Sequence, residues 1–328
     1  MPELKQIAEL LTRGNSFYLL SHMLPDGDSI GSLLALGEAL KRLGKKVRMV
    51  IPGEVPRRYR FLKGSEEIAG ALSFDGRSTV VVLDCSDLGR LGELGPQVEK
   101  APVLINIDHH VSNRYFGTVN LVDSSAGAAG EIVFRLLAEM GLEPTPSMAT
   151  ALYVALATDT GSFKYDNTTS NTHRIAADLV ERGCRPGLIS RRLFDLRTLP
   201  SFILLKEVLP TLELYSRRRI AILTVSRDLL ERCGAVEEDM GGLVNYSVNI
   251  EGVEIGVLFY TGEREEIKVG IRSRRLDISG LAEKFGGGGH AKAAGCRIPG
   301  AYPPAKAAVL KEAHALLREA TGPEEEGF

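Results

Sequence analysis

Residues 22–32 read HMLPDGDSIGS and closely follow the apolar run FYLL. In this stretch a single glycine separates Asp26 from Asp28, and His22 stands first. A turn from a strand into a helix can be made with glycine and asparagine alone, whereas two carboxylates beside an imidazole are typical of a cation site. Residues 30–43 then repeat apolar side chains at helical spacing and end before a glycine, which suits a helix terminus. The stretch therefore predicts a strand, a cation-binding loop and a helix.

The rest of the first half alternates in the same way. The runs FYLLSH, VRMVI, TVVVLDCS and PVLINIDHH predict strands, and helices are predicted at 126–140, 147–158 and 171–182. Strands that alternate with helices are typical of a largely parallel sheet covered on both faces. We therefore predict an α/β fold with an N-terminal, doubly wound, mostly parallel sheet.

A change of composition follows this first domain. Residues 185–219 are rich in arginine and contain three prolines, which predicts a linker with its own helix. The later runs RIAILTV, VEIGVLFY and IKVGIRS, with helices at 277–285 and 304–320, predict a smaller α/β domain, and the final TGPEEEGF predicts a disordered tail. The predicted bounds are 1–190 for the first domain, 191–216 for the helical linker and 217–328 for the second domain.

Composition limits the possible partners. The 328 residues include 40 Lys and Arg against 42 Asp and Glu, a net charge of -2. Such a chain lacks the basic field that holds long nucleic acid, so a nucleotide ligand should be short. The four cysteines form no C-x-x-C pair, and the longest uncharged stretch, 144–158, is shorter than the about 18–20 residues of a membrane span. A cytoplasmic protein without a membrane partner is expected, and a homodimer is left open.

Acidic and imidazole side chains recur just past the apolar runs or at helix ends. Besides those of residues 22–32, they are Asp84 in VVLDCSD, Asp108, His109 and His110 in INIDHHVSN, and Asp159 in ALATDTGSF. Taken singly, each aspartate could be a helix N-cap and each histidine a packed side chain. The carboxyl ends of parallel strands share one edge of a sheet, however, so these groups can converge. So many carboxylates would repel one another without divalent cations, and mixed Asp and His ligation suits Mn²⁺ or a similar metal.

The same residues carry a family resemblance. HMLPDGDSIGS, VVLDCSD, NIDHHVSN and ATDTGSFKYDNTT resemble the successive motifs of the DHH phosphoesterase superfamily, and RSRRLDISGLAEKFGGGGHAKAAG resembles its DHH-associated C-terminal domain. The compact layout is similar to that of the nano-RNases, which degrade very short oligoribonucleotides and remove a phosphate from adenosine bisphosphate (pAp). RecJ-type nucleases carry further domains, and family II inorganic pyrophosphatases lack the Gly-rich His motif, so both fit less well.

The resemblance implies a site for two divalent ions, with Mn²⁺ as the expected metal. It assigns His22, Asp26 and Asp84 to one ion, and Asp28, Asp84, His109 and Asp159 to the other, with Asp84 bridging. It implies that Asp108 orients a ligand imidazole and that His110 faces the substrate phosphate. Together Asp84, Asp108, His109 and His110 form the predicted catalytic set.

The resemblance also implies a substrate-binding surface on the second domain, so that the active site would lie in the interdomain cleft. Its predicted residues are Arg272, Ser273, Gly288, Gly289 and His290, acting together with His110. Arg274 and Arg275 receive no role. The expected substrates are short RNA oligonucleotides, pAp or dinucleotides.

Two other functions remain open on the sequence. Hydrolysis of cyclic dinucleotides, or of linear ones such as pApA and pGpG, would use the same metal centre. A non-catalytic nucleotide sensor that kept the fold is the second alternative. Such a sensor should have lost a metal ligand, and every ligand position is filled here.

Overall fold

The computed structural model describes residues 2–71, 74–262 and 266–321, without the side chains of His290 and Thr321. Residues 322–328, most of the predicted disordered tail, lie outside this part. The chain divides into two units, Met1–Leu196 and Arg197–Phe328. Among the helices that the structure describes, none has the length and apolar character needed to cross a bilayer.

The first unit is built on a five-stranded sheet in which every pair of neighbours is parallel. Its strands are β1 (Ser16–Leu20), β2 (Lys46–Val50), β3 (Thr79–Leu83), β4 (Leu104–Asp108) and β5 (Val119–Val122), in the spatial order β2-β1-β3-β4-β5. The predicted parallel α/β sheet is confirmed. Strand β5 was not predicted, because its four residues, VNLV, are mostly only half-buried and give a weak apolar signal.

Helices cover both faces of this sheet. They are α1 (Pro2–Arg13), α2 (Gly27–Arg42), α3 (Gly95–Val98), α4 (Ala129–Glu139), α5 (Pro146–Asp159), α6 (Ser170–Glu181) and α7 (Pro186–Ser190), with 3₁₀ turns at Arg57–Tyr59, Ser65–Glu67 and Leu88–Leu94 and a π turn at Arg191–Asp195. Alternate residues of β1 enter different cores: Phe17 and Leu19 join the core under α1, α2, α4 and α5, while Tyr18 and Leu20 join the core on the other face. A strand buried on both faces accounts for the uninterrupted apolar run FYLL.

A close contact between α2 and α5 positions the loop that leads from β1 into α2. A Cβ atom on Gly31 of α2 would lie 2.2 Å from the carbonyl oxygen of Ala151 in α5, and one on Gly27 would lie 2.4 Å from the side chain of Thr158. Only glycine permits this approach. The start of α2 is therefore held against the end of α5, where Asp159 lies.

The second unit contains a six-stranded mixed sheet. Its strands are β6 (Glu213–Tyr215), β7 (Ile220–Ser226), β8 (Ile255–Thr261), β9 (Glu266–Ser273), β10 (Gly288–His290) and β11 (Ala293–Pro299), in the order β10-β11-β9-β8-β7-β6. Its helices are α8 (Leu199–Val208), α9 (Arg227–Arg232), α10 (Leu243–Val248), α11 (Ser279–Glu283) and α12 (Tyr302–Thr321), with 3₁₀ turns at Leu209–Thr211 and Glu237–Met240. Only β7 and β8 pair in parallel; the other neighbours are antiparallel. The predicted second α/β domain is thus present.

The segment predicted as a linker, 191–216, is shared between the two units. The π turn Arg191–Asp195 belongs to the first unit. Helix α8 belongs to the second, where Leu204 and Val208 join a core with residues of β7. The helix predicted in this segment therefore packs as part of the second unit, and the division falls between Leu196 and Arg197.

The close contact between α2 and α5 predicts that a larger residue in α2 would destabilise the first unit. Gly31→Ala should lower the free energy of unfolding of the first unit by about 1–3 kcal/mol, because its methyl group would overlap a backbone oxygen that cannot move alone. Gly280→Ala is the control, since this exposed helical glycine has no atom within 4 Å of its Cβ position. Urea unfolding followed by circular dichroism compares the two, and a Gly31→Ala protein as stable as the control would contradict the packing described.

Candidate metal centre

The candidate site lies at the carboxyl ends of the central strands of the first unit. His22 follows β1, Asp84 follows β3, and Asp108 ends β4 just before His109 and His110. Asp26 caps the N-terminus of α2, with its carboxylate accepting from the amide of Ser29 at 3.0 Å, and Asp28 lies in the first turn. Asp159 is the last residue of α5. The fold thus carries all the predicted ligands to one edge of one sheet.

The side chains meet in three overlapping groups. In each group the donor atoms lie within 4.8 Å of one another. The groups are His22, Asp26 and Asp84; Asp28, His109 and Asp159; and Asp84, His109 and His110. Asp84 belongs to two of them, which fits its predicted bridging position. His110, predicted to face the substrate, also lies in a group.

Asp84 is at the centre of the cluster. One carboxylate oxygen lies 3.4 Å from His22 Nε2, and the other lies 3.7 Å from His109 Nε2 and 3.6 Å from His110 Nδ1. Its backbone has φ +52°, in the left-handed region that few residues other than glycine, asparagine and aspartate adopt. This turn directs the chain sharply away from β3 while the carboxylate stays at the strand end.

Asp28 is fully buried and is fixed by donors from a distant part of the chain. The amides of Ala129 and Gly130, at the start of α4, donate to its two oxygens at 2.6 and 2.9 Å. Ser32 Oγ donates at 3.0 Å from the next turn of α2. These bonds orient the carboxylate, which lies 3.7 Å from His109 Nε2.

Two histidines present the same ring nitrogen to the cluster. His22 Nδ1 lies 2.7 Å from the carbonyl oxygen of Met23, and His109 Nδ1 lies 3.2 Å from that of Ala126. Because a carbonyl only accepts, each Nδ1 carries a proton, and Nε2 is the ring nitrogen directed towards the carboxylates. Neutral imidazoles held in this tautomer are suited to metal ligation.

Asp108 occupies a position behind the cluster. It is fully buried, and His110 Nδ1 and Asn113 Nδ2 donate to its two oxygens at 2.7 and 2.5 Å. The imidazole that it orients is therefore that of His110, the residue predicted to face the substrate, rather than that of His22 or His109, whose Nδ1 atoms bond to carbonyls. Burial raises the pKa of Asp108, but the hydrogen bonds from His110 and Asn113 and the charges of the two histidines together outweigh burial and leave the pKa below its usual value.

Crowding and burial disfavour the charged carboxylates elsewhere in the cluster. Burial raises the pKa of Asp28 to about 8 and that of Asp159 to about 7. Burial and then the neighbouring Asp28 raise the pKa of Asp84 well above its usual value. Burial lowers the pKa of His109, but the charges of Asp159 and Asp28 outweigh it and leave the pKa raised. A positive charge among these groups would reverse the shifts of the carboxylates.

The donor set fits divalent metal ions. Carboxylate oxygens and neutral imidazole nitrogens are the ligands that Mn²⁺ and related first-row metals take in proteins. The acidic and imidazole groups also lie close enough to share ions, because Asp84 and His109 each belong to two groups. We conclude that the site is built for divalent cations.

Four supporting residues were missed by the sequence predictions. Buried Glu131 accepts from the amide of Gly127 at 3.1 Å and from the hydroxyl of Thr172 at 2.5 Å, and so fixes the turn before the Asp28 amides. Asn106 accepts from Asn113 at 2.8 Å. Tyr59 is 2% exposed and bonds to the main chain of Gly27, between the two aspartates of the opening loop. Asn106 and Asn113 both stood in the quoted motif NIDHHVSN without an assigned role, whereas Thr172 and Gly27, the partners of Glu131 and Tyr59, lie too far away in sequence for a local signal.

The predicted substrate-binding residues of the second unit lie on two strands of its sheet. Arg272 and Ser273 end β9, and Gly288, Gly289 and His290 form β10, with β11 between them. The side chain of His290 lies outside the described residues. A Cβ on Gly289 would lie 2.4 Å from the carbonyl oxygen of Ala293, whereas Gly288 has open space. Close strand pairing therefore requires glycine at 289, whereas position 288 has space for a side chain, and both residues are exposed.

Comparisons with known proteins agree with this arrangement. Residues 16–156 match the family model described as the DHH family, N-terminal domain, and residues 224–319 match the DHHA1 domain. The "Bifunctional oligoribonuclease and PAP phosphatase NrnA" of Thermus thermophilus is 36% identical over 303 residues, covering 91% of this chain and 89% of the relative. The protein of the same name from Bacillus subtilis is 28% identical, covering 87% of this chain and 90% of the relative.

Solved structures share the fold. An exopolyphosphatase-related protein from Bacteroides fragilis superposes with a TM-score of 0.86 at 24% identity, covering 97% of this chain and 98% of that one. A manganese-bound exonuclease RecJ superposes with a TM-score of 0.51 at 18% identity, covering 98% and 95%. At these low sequence identities, the structural similarity shows a shared fold only.

The central position of Asp84 predicts its effect on metal binding. Asp84→Asn should weaken Mn²⁺ binding by more than about 100-fold, because even the loss of a group behind the ligands costs about 10–100-fold. Asparagine tolerates the left-handed backbone of this position, so the fold should persist. Isothermal titration calorimetry measures the affinity, with Asp178→Asn on α6 as the matched control. An Asp84→Asn protein with the affinity of the control would remove Asp84 from the centre.

Proposed function

The chain belongs to the DHH family, and we propose that it hydrolyses very short oligoribonucleotides to mononucleotides and converts pAp to AMP. The observation that carries the proposal is the overlap of three donor groups on Asp84 and His109. The relatives named for these two activities align over about nine-tenths of the chain. Both activities cleave a phosphate ester, so one site could perform them.

We propose Mn²⁺ as the resident metal. His22, Asp26 and Asp84 would hold one ion, and Asp28, Asp84, His109 and Asp159 would hold the other. Bound divalent ions supply Lewis-acid stabilisation of phosphoryl oxygens and a nucleophile at neutral pH. The chain's own contribution is to fix the carboxylates, through the amides of α4 and the hydroxyl of Ser32.

His110 is proposed to bind the substrate phosphate. Its Nδ1 proton is held by Asp108, so the ring orientation is set from behind the site. With Nδ1 engaged by Asp108, Nε2 is the ring nitrogen proposed to contact the phosphate. Asn113 donates to the second oxygen of Asp108 and keeps that carboxylate from rotating.

Residues of the second unit are proposed to bind the substrate as well. These are Arg272, Ser273, Gly288, Gly289 and His290. The hydroxyl of Ser273 accepts from the amide of Leu276, and the amide of Ser273 donates to the carbonyl of Lys292 at 3.1 Å. These two bonds fix the end of β9. A guanidinium and backbone amides at such a strand end suit a terminal phosphate. A cytoplasmic location and a homodimer remain predictions.

The balance of charges predicts a preference for short substrates. Long RNA would need a row of phosphate contacts, and a net charge of -2 offers no broad basic field. With Mn²⁺, turnover per molecule should therefore be faster on di- and trinucleotides than on RNAs of about 24 nucleotides, which exceed the span of a single binding domain. A panel of pAp, RNAs of increasing length and cyclic dinucleotides measures this. Preference for the longest RNA would contradict the proposal, and preference for a cyclic dinucleotide would replace the substrate.

The second unit supplies a further prediction. Arg272→Ala should lower kcat/KM on pAp and on a diribonucleotide by about 10-fold or more, the cost of a lost charge-assisted hydrogen bond. Mn²⁺ affinity should be unchanged, because Arg272 belongs to none of the donor groups. Arg297→Ala is the control: it removes an arginine from the neighbouring β11, where the guanidinium bonds to Glu266 at 2.7 Å. Equal activity of both variants would refute the role of Arg272.

A further inference from the structure

A short 3₁₀ helix, Leu88–Leu94, is fixed against the loop that carries His22. The amide of Met23, the residue after His22, donates to the carbonyl of Arg90 at 2.8 Å. A Cβ on Gly92, whose φ is +56°, would lie 3.0 Å from the terminal methyl of Met23. Asp87 caps the start of this helix through the amide of Gly89. The backbone of Arg90 is thus anchored beside the metal centre, in the connection that begins at Asp84.

Arg90 is half-buried. Within residues 2–71, 74–262 and 266–321, no carboxylate forms an ion pair with it and no side-chain hydrogen bond engages it. Its backbone carbonyl bonds to the amide of Met23, the residue after His22. An uncompensated cation is therefore carried by a residue that is in contact with the loop of an imidazole ligand.

Other arginines of nearby segments are engaged differently. Arg114, four residues beyond His110, pairs with Asp87 at 3.0 Å and has a largely exposed side chain. Arg58 lies over the ring of Tyr59, 4.8 Å from its centroid. Arg90 thus retains all its guanidinium donors for a ligand.

Charge balance indicates what that ligand is. Asp26, Asp28, Asp84, Asp108 and Asp159 carry -5 when ionised, and two divalent ions would return +4. A phosphate monoester brings a further charge of about -1.5 to -2, so a bound substrate needs cations beyond the metals. A guanidinium presents a planar fork of donors that matches two oxygens of a phosphate.

We propose that Arg90 binds non-bridging oxygens of the phosphate group on which the metal centre acts. The ligand class is a phosphate monoester or diester, and the proposal rests on the function proposed above. It assigns a phosphate-binding residue to the first unit, in a segment outside the motifs that supply ligands.

The test uses the full-length, Mn²⁺-loaded protein and two variants, Arg90→Gln and Arg90→Lys. Arg77→Gln, before the opposite end of β3, is the control for loss of an exposed arginine. Calorimetry measures the binding of Mn²⁺, of AMP and of adenosine, and steady-state assays measure kcat/KM on pAp and a diribonucleotide. AMP carries the phosphate and adenosine does not, so their difference isolates the phosphate contact.

Arg90→Gln should weaken AMP binding and lower kcat/KM by about 10–100-fold, the range for a lost hydrogen bond to a charged group. Adenosine and Mn²⁺ binding should be unchanged, and Arg90→Lys should recover part of the loss by restoring the charge without the fork. AMP affinity within threefold of wild type, or lost Mn²⁺ binding in Arg90→Gln, would overturn the assignment.

The two proposals fail separately. A wild-type protein that binds AMP but turns over neither substrate would refute the proposed function. The AMP affinities of the Arg90 variants would still decide whether this guanidinium binds phosphate.

Discussion

Repulsion among buried carboxylates is the constraint on which the first unit depends. Burial raises the pKa of Asp28, Asp84 and Asp159, and neighbouring carboxylates of the cluster raise it further, because these groups share a water-poor edge of the sheet. Burial of like charges destabilises the folded state by more than the packing around them stabilises it, unless cations bind. The architecture must hold these groups together before any ion arrives. Structural stability and metal binding are therefore opposed at this edge.

The fold meets this constraint through contacts far from the carboxylates. Glycines bring α2 and α5 within backbone distance, and the start of α4 donates two amides to Asp28. Glu131 fixes the turn that leads to those amides. Each of these contacts uses a glycine or a buried charge to fix the position of a ligand. The ligands are therefore held by main-chain atoms that have little freedom to relax. Such preorganisation lowers the reorganisation that binding would otherwise require.

The sequence predicts the sheet and the ligand set because both follow from local patterns. Apolar runs followed by Asp or His mark the strand ends, and strand ends of a parallel sheet share an edge. The partner of Asp108 was predicted less well, since which imidazole it orients depends on side-chain rotation rather than on spacing. Glu131 and Tyr59 were not predicted, because Thr172 and Gly27, which connect them to distant parts of the chain, lie about 30–40 residues away. A glutamate at a helix start or a tyrosine between arginines gives no local signal of such a role. Close strand pairing gives a second reason for glycine at 289, and its predicted role in ligand binding stays a prediction.

The left-handed backbone of Asp84 also restricts how this position can change during evolution. At φ +52° the residues adopted with least strain are glycine, asparagine and aspartate. Glycine and asparagine would keep the path of the chain and remove the negative charge. Descendants that abandon catalysis but retain the fold should therefore carry asparagine or glycine here, while β-branched residues should be rare. The identity of the residue after β3 can thus distinguish catalytically inactive relatives from active ones.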